Sequence, residues 1–154
     1  MAFRICKTLE IESGHMLSRH PDKCQFPHGH TRKVEFVLEA EELDENGMVC
    51  DFKILKEAVG EYLDQFDHSM CMNTEDVMFS TFKAAYGDRI IGFEKREPTT
   101  EVLAKEFYDA CVKHLAAYAA SSASKYILRP QVRLIRLRVW ETSSSWAEYE
   151  GGGK

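Results

Sequence analysis

Four of the six histidines in this 154-residue chain fall between positions 15 and 30, with Cys24 among them. The cluster His15, His20, Cys24, His28 and His30 is the densest group of metal-binding and nucleophilic side chains in the sequence. Successive side chains on an extended backbone point to opposite faces, so His28 and His30 project to the same side. A third ligand from another strand would complete three sites of a tetrahedral zinc and leave one position open for chemistry. His15 is the best third ligand: its parity continues that of Phe3, Ile5, Leu9 and Ile11 if that strand runs unbroken past Gly14. The same residues also fit loop histidines without a metal, or a closed structural site with Cys24 as fourth ligand. A thiol beside a bound cation has a lowered pKa and can act as a base without ligating.

Two acids add to this. In Asp67-His68 a neighbouring carboxylate can orient and charge a histidine that in turn activates a thiol, although a cationic histidine after a helix also suits the helix dipole. Glu141 continues the parity of Ile135, Leu137 and Val139 and so points inward at the end of an apolar strand face. A buried carboxylate calls for an arginine partner or for a ligand with two adjacent N–H donors, such as a guanine-like or pterin ring. His114, beside the apolar stripe of a helix, is read as a packed core histidine, and Arg19, Lys23 and Arg32 as solvated surface charge.

The elements that must position these groups follow from periodicity. Alternation over 3–11 and 33–40 predicts two strands, antiparallel by preference, the second ending at the turn Asp44-Glu45-Asn46-Gly47. Ile54, Leu55, Ala58, Val59, Tyr62, Leu63 and Phe66 recur at helical spacing. Residues 73–97 read as loop with one short helix. Pro98-Thr99-Thr100-Glu101 then opens a second long helix, with Leu103, Phe107, Cys111, Leu115 and Tyr118 on one stripe as far as about residue 119. Strands are predicted over 132–141 and 146–150. The order strand, strand, helix, helix, strand, strand predicts an α+β fold: a four-stranded antiparallel sheet with two helices on one face. Apolar residues on both parities of 132–139 suggest that sheets from several subunits join or stack.

Composition sets outer limits. Apolar residues make up 44% and charged ones 29%, and the formal net charge is −5, which fits one globular domain over 1–150 and argues against a nucleic-acid surface. Residues 151–154 read as a flexible tail. No membrane span or secretory signal is apparent, and five scattered cysteines do not suggest a disulfide framework, so a cytoplasmic location is expected.

Taken together, Ser13-Gly14-His15, Cys24-Gln25-Phe26-Pro27-His28-Gly29-His30, Gly47-Met48-Val49-Cys50-Asp51-Phe52, Phe66-Asp67-His68, Pro98-Thr99-Thr100-Glu101, and Trp140-Glu141-Thr142 followed by Tyr149-Glu150-Gly151 form an ordered set. With these motifs the sequence resembles the 6-pyruvoyl-tetrahydropterin synthase / 6-carboxytetrahydropterin synthase family of the tunnelling fold. The resemblance implies zinc on His15, His28 and His30, Cys24 as catalytic base with Asp67 and His68 as its relay, and Glu141 anchoring a pterin ring in a pocket lined by Thr99, Thr100 and Glu101. It also implies a homohexamer of two stacked trimeric barrels with sites between subunits, and 7,8-dihydroneopterin triphosphate as substrate. The three-residue spacer between Cys24 and His28 resembles the bacterial carboxytetrahydropterin branch of the 7-deazaguanine (queuosine) pathway. Sister readings are a pyruvoyl-forming or related pterin lyase, and a pterin-binding module without turnover. Residues 69–90 and 142–147 depart from the family pattern.

Overall fold

The computed structural model describes residues 1–151. The two alternating segments form long strands, β1 (Phe3–Met16) and β2 (His28–Ala40), joined through a short 3-10 turn at Lys23–Gln25. Then follow α1 (Lys53–Asp64), β3 (Ser69–Asn73), α2 (Phe79–Tyr86), β4 (Ile90–Phe93), α3 (Thr100–Ala120), β5 (Arg133–Thr142) and β6 (Ser145–Glu150). The strands form one sheet in the order β4-β3-β1-β2-β5-β6. β3 runs parallel to β1 and β4 parallel to β3, whereas β1, β2, β5 and β6 pair antiparallel.

The α+β class and the two main helices match the pattern in the sequence, but the sheet is six-stranded and mixed rather than four-stranded and antiparallel. β3 was hidden because neither face shows polar alternation. Cys71 faces the main core, while Met70 and Met72 face a satellite cluster with Met16 and Ile90. α2 covers that satellite cluster with Phe79 and Phe82, so helices lie on both faces of the sheet rather than on one. β4 has only four residues, too few to show a period.

The main core lies between the other face and α1 with α3. Ile54, Leu55, Val59 and Leu63 from α1, and Leu103, Phe107, Cys111 and Leu115 from α3, are buried against Val34, Phe36, Leu137 and Val139. His114 corrects the reading above: it is exposed, with its ring 5.3 Å from that of Tyr62. The two-sided apolar pattern of β5 also has a local cause. Val37 pairs with Arg136 and Leu38 with Leu134, so Ile135 is the extra residue of a β-bulge. The bulge lets Leu134 and Leu137 face the same core despite their odd separation. On the outer face, Glu148 instead bonds Arg136 and Arg138, and Arg138 lies 3.7 Å over the Trp146 ring. The expected tail lies outside the described residues except for Gly151, whose N–H donates to Ile135 O.

Candidate active site

The β1–β2 register builds the site. Leu9 pairs with Val34, Ile11 with Arg32, Ser13 with His30, and His15 with His28. All these side chains share the face that carries the core, so one continuous stripe passes from apolar to imidazole toward the end of the two strands. The start of α3 meets that end and supplies the Pro98 carbonyl and the Thr100 hydroxyl.

His15 is fully buried, and its Nδ1 donates to Pro98 O at 2.8 Å; His28 Nδ1 donates to Phe26 O at 2.7 Å. A neutral imidazole carries one hydrogen, so with Nδ1 committed to a carbonyl each Nε2 presents a lone pair. Nε2 of His15 and of His30 are 3.2 Å apart, and one ligand atom from each of His15, His28 and His30 lies within 4.8 Å of the others. Burial lowers the pKa of His15 to about 4 and lowers that of His30, and the Arg32 charge adds to both shifts. Both rings are therefore neutral at pH 7, the form that binds a metal. Three imidazole nitrogen donors, two of them oriented by carbonyls on the far nitrogen, fit a borderline divalent ion such as zinc.

Arg32 overturns its reading as surface charge: it is fully buried. Its Nη1 donates to Thr100 Oγ1 at 3.0 Å, and its Nε has no partner among the described residues. Its Nη2 lies 3.2 Å from His15 Nδ1, whose hydrogen is already directed at Pro98 O. Burial depresses the Arg32 pKa, and the nearby Glu141 carboxylate opposes that shift. The signal was present in the sequence, since Arg32 continues the inward parity of His28 and His30. The Pro98 and Phe26 carbonyls carried no such signal, because any residue supplies a carbonyl.

Glu141 does point inward, as its parity predicted. Val34 pairs with Val139, and two residues farther along these strands stand Arg32 and Glu141. The β5–β6 register shifts between Trp140 and Thr142, leaving Glu141 at a bulge that turns its carboxylate toward the cluster. Glu141 Oε1 lies 3.3 Å from Nε2 of both His15 and His30. Cys24 is half-buried in the turn between β1 and β2, where its carbonyl accepts from Leu17 N–H at 2.9 Å. Its sulfur is not one of the converging ligand atoms, so the closed site with a cysteine ligand is not formed. His20 is apart as well, its Nδ1 accepting from Asp22 N–H.

Asp67 and His68 form a hydrogen-bonded pair, Nδ1 to Oδ2 at 2.8 Å, and are tied to β1 by Glu12 N–H on Asp67 Oδ1 at 2.7 Å. That backbone bond, followed by His68, lowers the Asp67 pKa. His68 has φ 55°, a left-handed conformation that a non-glycine residue adopts only where its surroundings impose it. Its side chain is 73% exposed, and no hydrogen bond joins the pair to Cys24 among the described residues. Thr99 caps α3 by accepting from Val102 N–H at 3.2 Å, Thr100 holds Arg32, and Glu101 is exposed in the first turn.

Fold and site together define a pterin-synthase-like scaffold, and the sequence profile of the 6-pyruvoyl tetrahydropterin synthase family matches residues 4–152. The chain is a member of that family. Among individual relatives, it is 30% identical over 168 aligned residues to the 6-carboxy-5,6,7,8-tetrahydropterin synthase of Aquifex aeolicus, covering 97% of this chain and 99% of that protein. It is 31% identical over 150 residues to a putative enzyme of the same name from Pyrococcus horikoshii, covering 94% and 88%. An uncharacterised protein of Wolinella succinogenes shares the fold with a TM-score of 0.77 at 19% identity, over 98% and 99% of the chains. The 6-pyruvoyl tetrahydropterin synthase of Plasmodium vivax superposes with a TM-score of 0.70 at 14% identity, over 98% of each. No helix among the described residues is long and apolar enough to cross a membrane.

Proposed function

We propose that this protein is a zinc-dependent lyase that converts 7,8-dihydroneopterin triphosphate and water to 6-carboxy-5,6,7,8-tetrahydropterin, triphosphate and acetaldehyde, as in the 7-deazaguanine (queuosine) pathway. The observation that carries this reading is the convergence of one ring nitrogen from each of His15, His28 and His30, with Nδ1 of His15 and of His28 held by carbonyls. The names of the relatives at about 30% identity support the carboxy product. Zinc held by these three imidazoles supplies Lewis acidity that makes C–H protons beside the substrate side-chain hydroxyls more acidic. Cys24, four residues before His28, takes such a proton as its thiolate. Glu141 offers two carboxylate oxygens to the paired N–H donors of the pterin ring.

The Asp67–His68 pair is the relay for the thiol. Its exposure, with no hydrogen bond to Cys24 among the described residues, supports a site shared between subunits, in which a second copy brings its pair over this Cys24. The homohexamer is the assembly proposed for that purpose, working in the cytoplasm. The family's name favours the sister reading, a pyruvoyl product from the same substrate. Anaerobic incubation of zinc-loaded protein with 7,8-dihydroneopterin triphosphate, followed by mass spectrometry, tests both. 6-Carboxytetrahydropterin with acetaldehyde and triphosphate is the expected result, and a pyruvoyl product assigns the sister activity. Bound but unchanged substrate leaves a pterin-binding module. Cys24→Ala should abolish turnover and retain zinc.

A further inference from the structure

The position of Glu141 carries more than a ring anchor. Its Oε1 and the two nitrogens His15 Nε2 and His30 Nε2 form a nearly equilateral triangle with edges of 3.2, 3.3 and 3.3 Å. A tetrahedral ion with bonds of about 2.0–2.1 Å requires ligand atoms about 3.3 Å apart, so this triangle has the size of one face of a zinc coordination shell. Hydrogen bonding alone does not account for it. His15 has its hydrogen on Nδ1, facing Pro98 O, so its Nε2 is an acceptor and so is the carboxylate oxygen. A hydrogen on His30 Nε2 could serve one edge at a time. The His15–Glu141 edge would still bring two acceptors to 3.3 Å with nothing between them.

We infer that Glu141 is the fourth metal ligand of the substrate-free protein, closing a site of three histidines and one carboxylate, and that pterin binding releases it. The inference rests on reading the cluster as the metal centre of a pterin enzyme. A ring with two adjacent N–H donors engages both oxygens of the carboxylate, so Glu141 leaves the metal as it takes the ring. One residue thereby couples recognition of the ring to opening of the coordination position that the substrate side chain needs. The bulge between Trp140 and Thr142 provides the local backbone irregularity at which the side chain is aimed.

The test uses the full-length protein loaded with zinc or cobalt(II). Glu141→Ala should weaken zinc binding at least tenfold in a chelator competition, and Glu141→Gln, which keeps the shape but removes the charge and turns one acceptor oxygen into an NH2 donor, should weaken it in the same direction. Cobalt(II) in the wild type should give the intense visible bands of a four-coordinate ion. Addition of 7,8-dihydroneopterin should change these bands in the wild type, a readout that needs no substitution. Unchanged zinc affinity and cobalt bands in folded Glu141→Ala and Glu141→Gln would overturn the inference while leaving the three-histidine zinc enzyme intact. If the wild type binds zinc no better than His28→Ala, the functional reading itself falls, and this inference with it.

Discussion

Replacement of Thr100 by valine tests the role that the structure gives to Arg32. The substitution keeps the β-branched shape at a buried position and removes one acceptor from a fully buried guanidinium. Arg32 Nε already lacks a partner and Nη2 faces a protonated ring nitrogen, so Nη1 would become a further unmatched donor on a buried cation. A hydrogen bond to a charged group contributes about 1.5–3 kcal/mol, and a desolvated donor is costly to strand. Thr100→Val should therefore destabilise the protein by about 2–3 kcal/mol, lowering Tm by about 5–10 °C for a chain of this size. Thr100→Ser should stay within about 1 kcal/mol of the wild type. Arg32→Met removes the donors that Thr100→Val strands, and replacing both partners of a buried hydrogen bond by apolar groups of similar shape can be nearly neutral. The double variant Arg32→Met/Thr100→Val should then recover most of the loss, with a coupling energy of about 1.5 kcal/mol or more in a double-mutant cycle. Urea unfolding at fixed protein and zinc concentrations measures the four proteins of the cycle and Thr100→Ser. A loss below about 0.5 kcal/mol for Thr100→Val, or no recovery in the double variant, would refute this reasoning. Collapse of pterin affinity with unchanged stability would instead make Thr100 a direct pocket residue.

Three further outcomes follow from the same geometry. Thr99→Ala should cost about 1 kcal/mol by loss of the α3 cap, and Thr99→Asn should restore it, as read by thermal melting. In chelator-treated protein, His15 stays neutral in the fold down to about pH 4, whereas the unfolded chain takes up that proton near its ordinary 6.5. Lowering the pH from about 6.5 to about 5 should then remove about 2 kcal/mol of stability, and a flat urea-unfolding profile over that window would contradict the assignment. Gly14→Ala would place a Cβ 2.7 Å from Met70 Cε and 3.1 Å from the His28 carbonyl oxygen, whereas at Gly29, the residue opposite, the nearest contact is 3.6 Å. Gly14→Ala should lower both Tm and zinc affinity while Gly29→Ala changes zinc affinity little, measured by melting and chelator competition.

What the sequence determined by itself was parity and period. The two-residue alternation in β1, β2 and β5 placed His15, His28, His30 and Glu141 on one face, because a pleated strand allows no other arrangement once its core side is known. The helical stripes likewise set the buried faces of α1 and α3. Those local rules weaken where both faces of a strand are covered, which hid β3, and where a bulge breaks the count, which made β5 look two-sided. Only the tertiary structure brought the start of α3 against the end of β1 and β2. That packing supplies the carbonyl that orients His15 and gives the Thr100 hydroxyl a buried arginine to hold, whereas the Thr99 cap is local and follows from the Pro98-Thr99-Thr100-Glu101 run. The roles of His15, Arg32 and Thr100 depend on contacts between positions 15, 32, 98 and 100, and no spacing along the chain encodes that proximity.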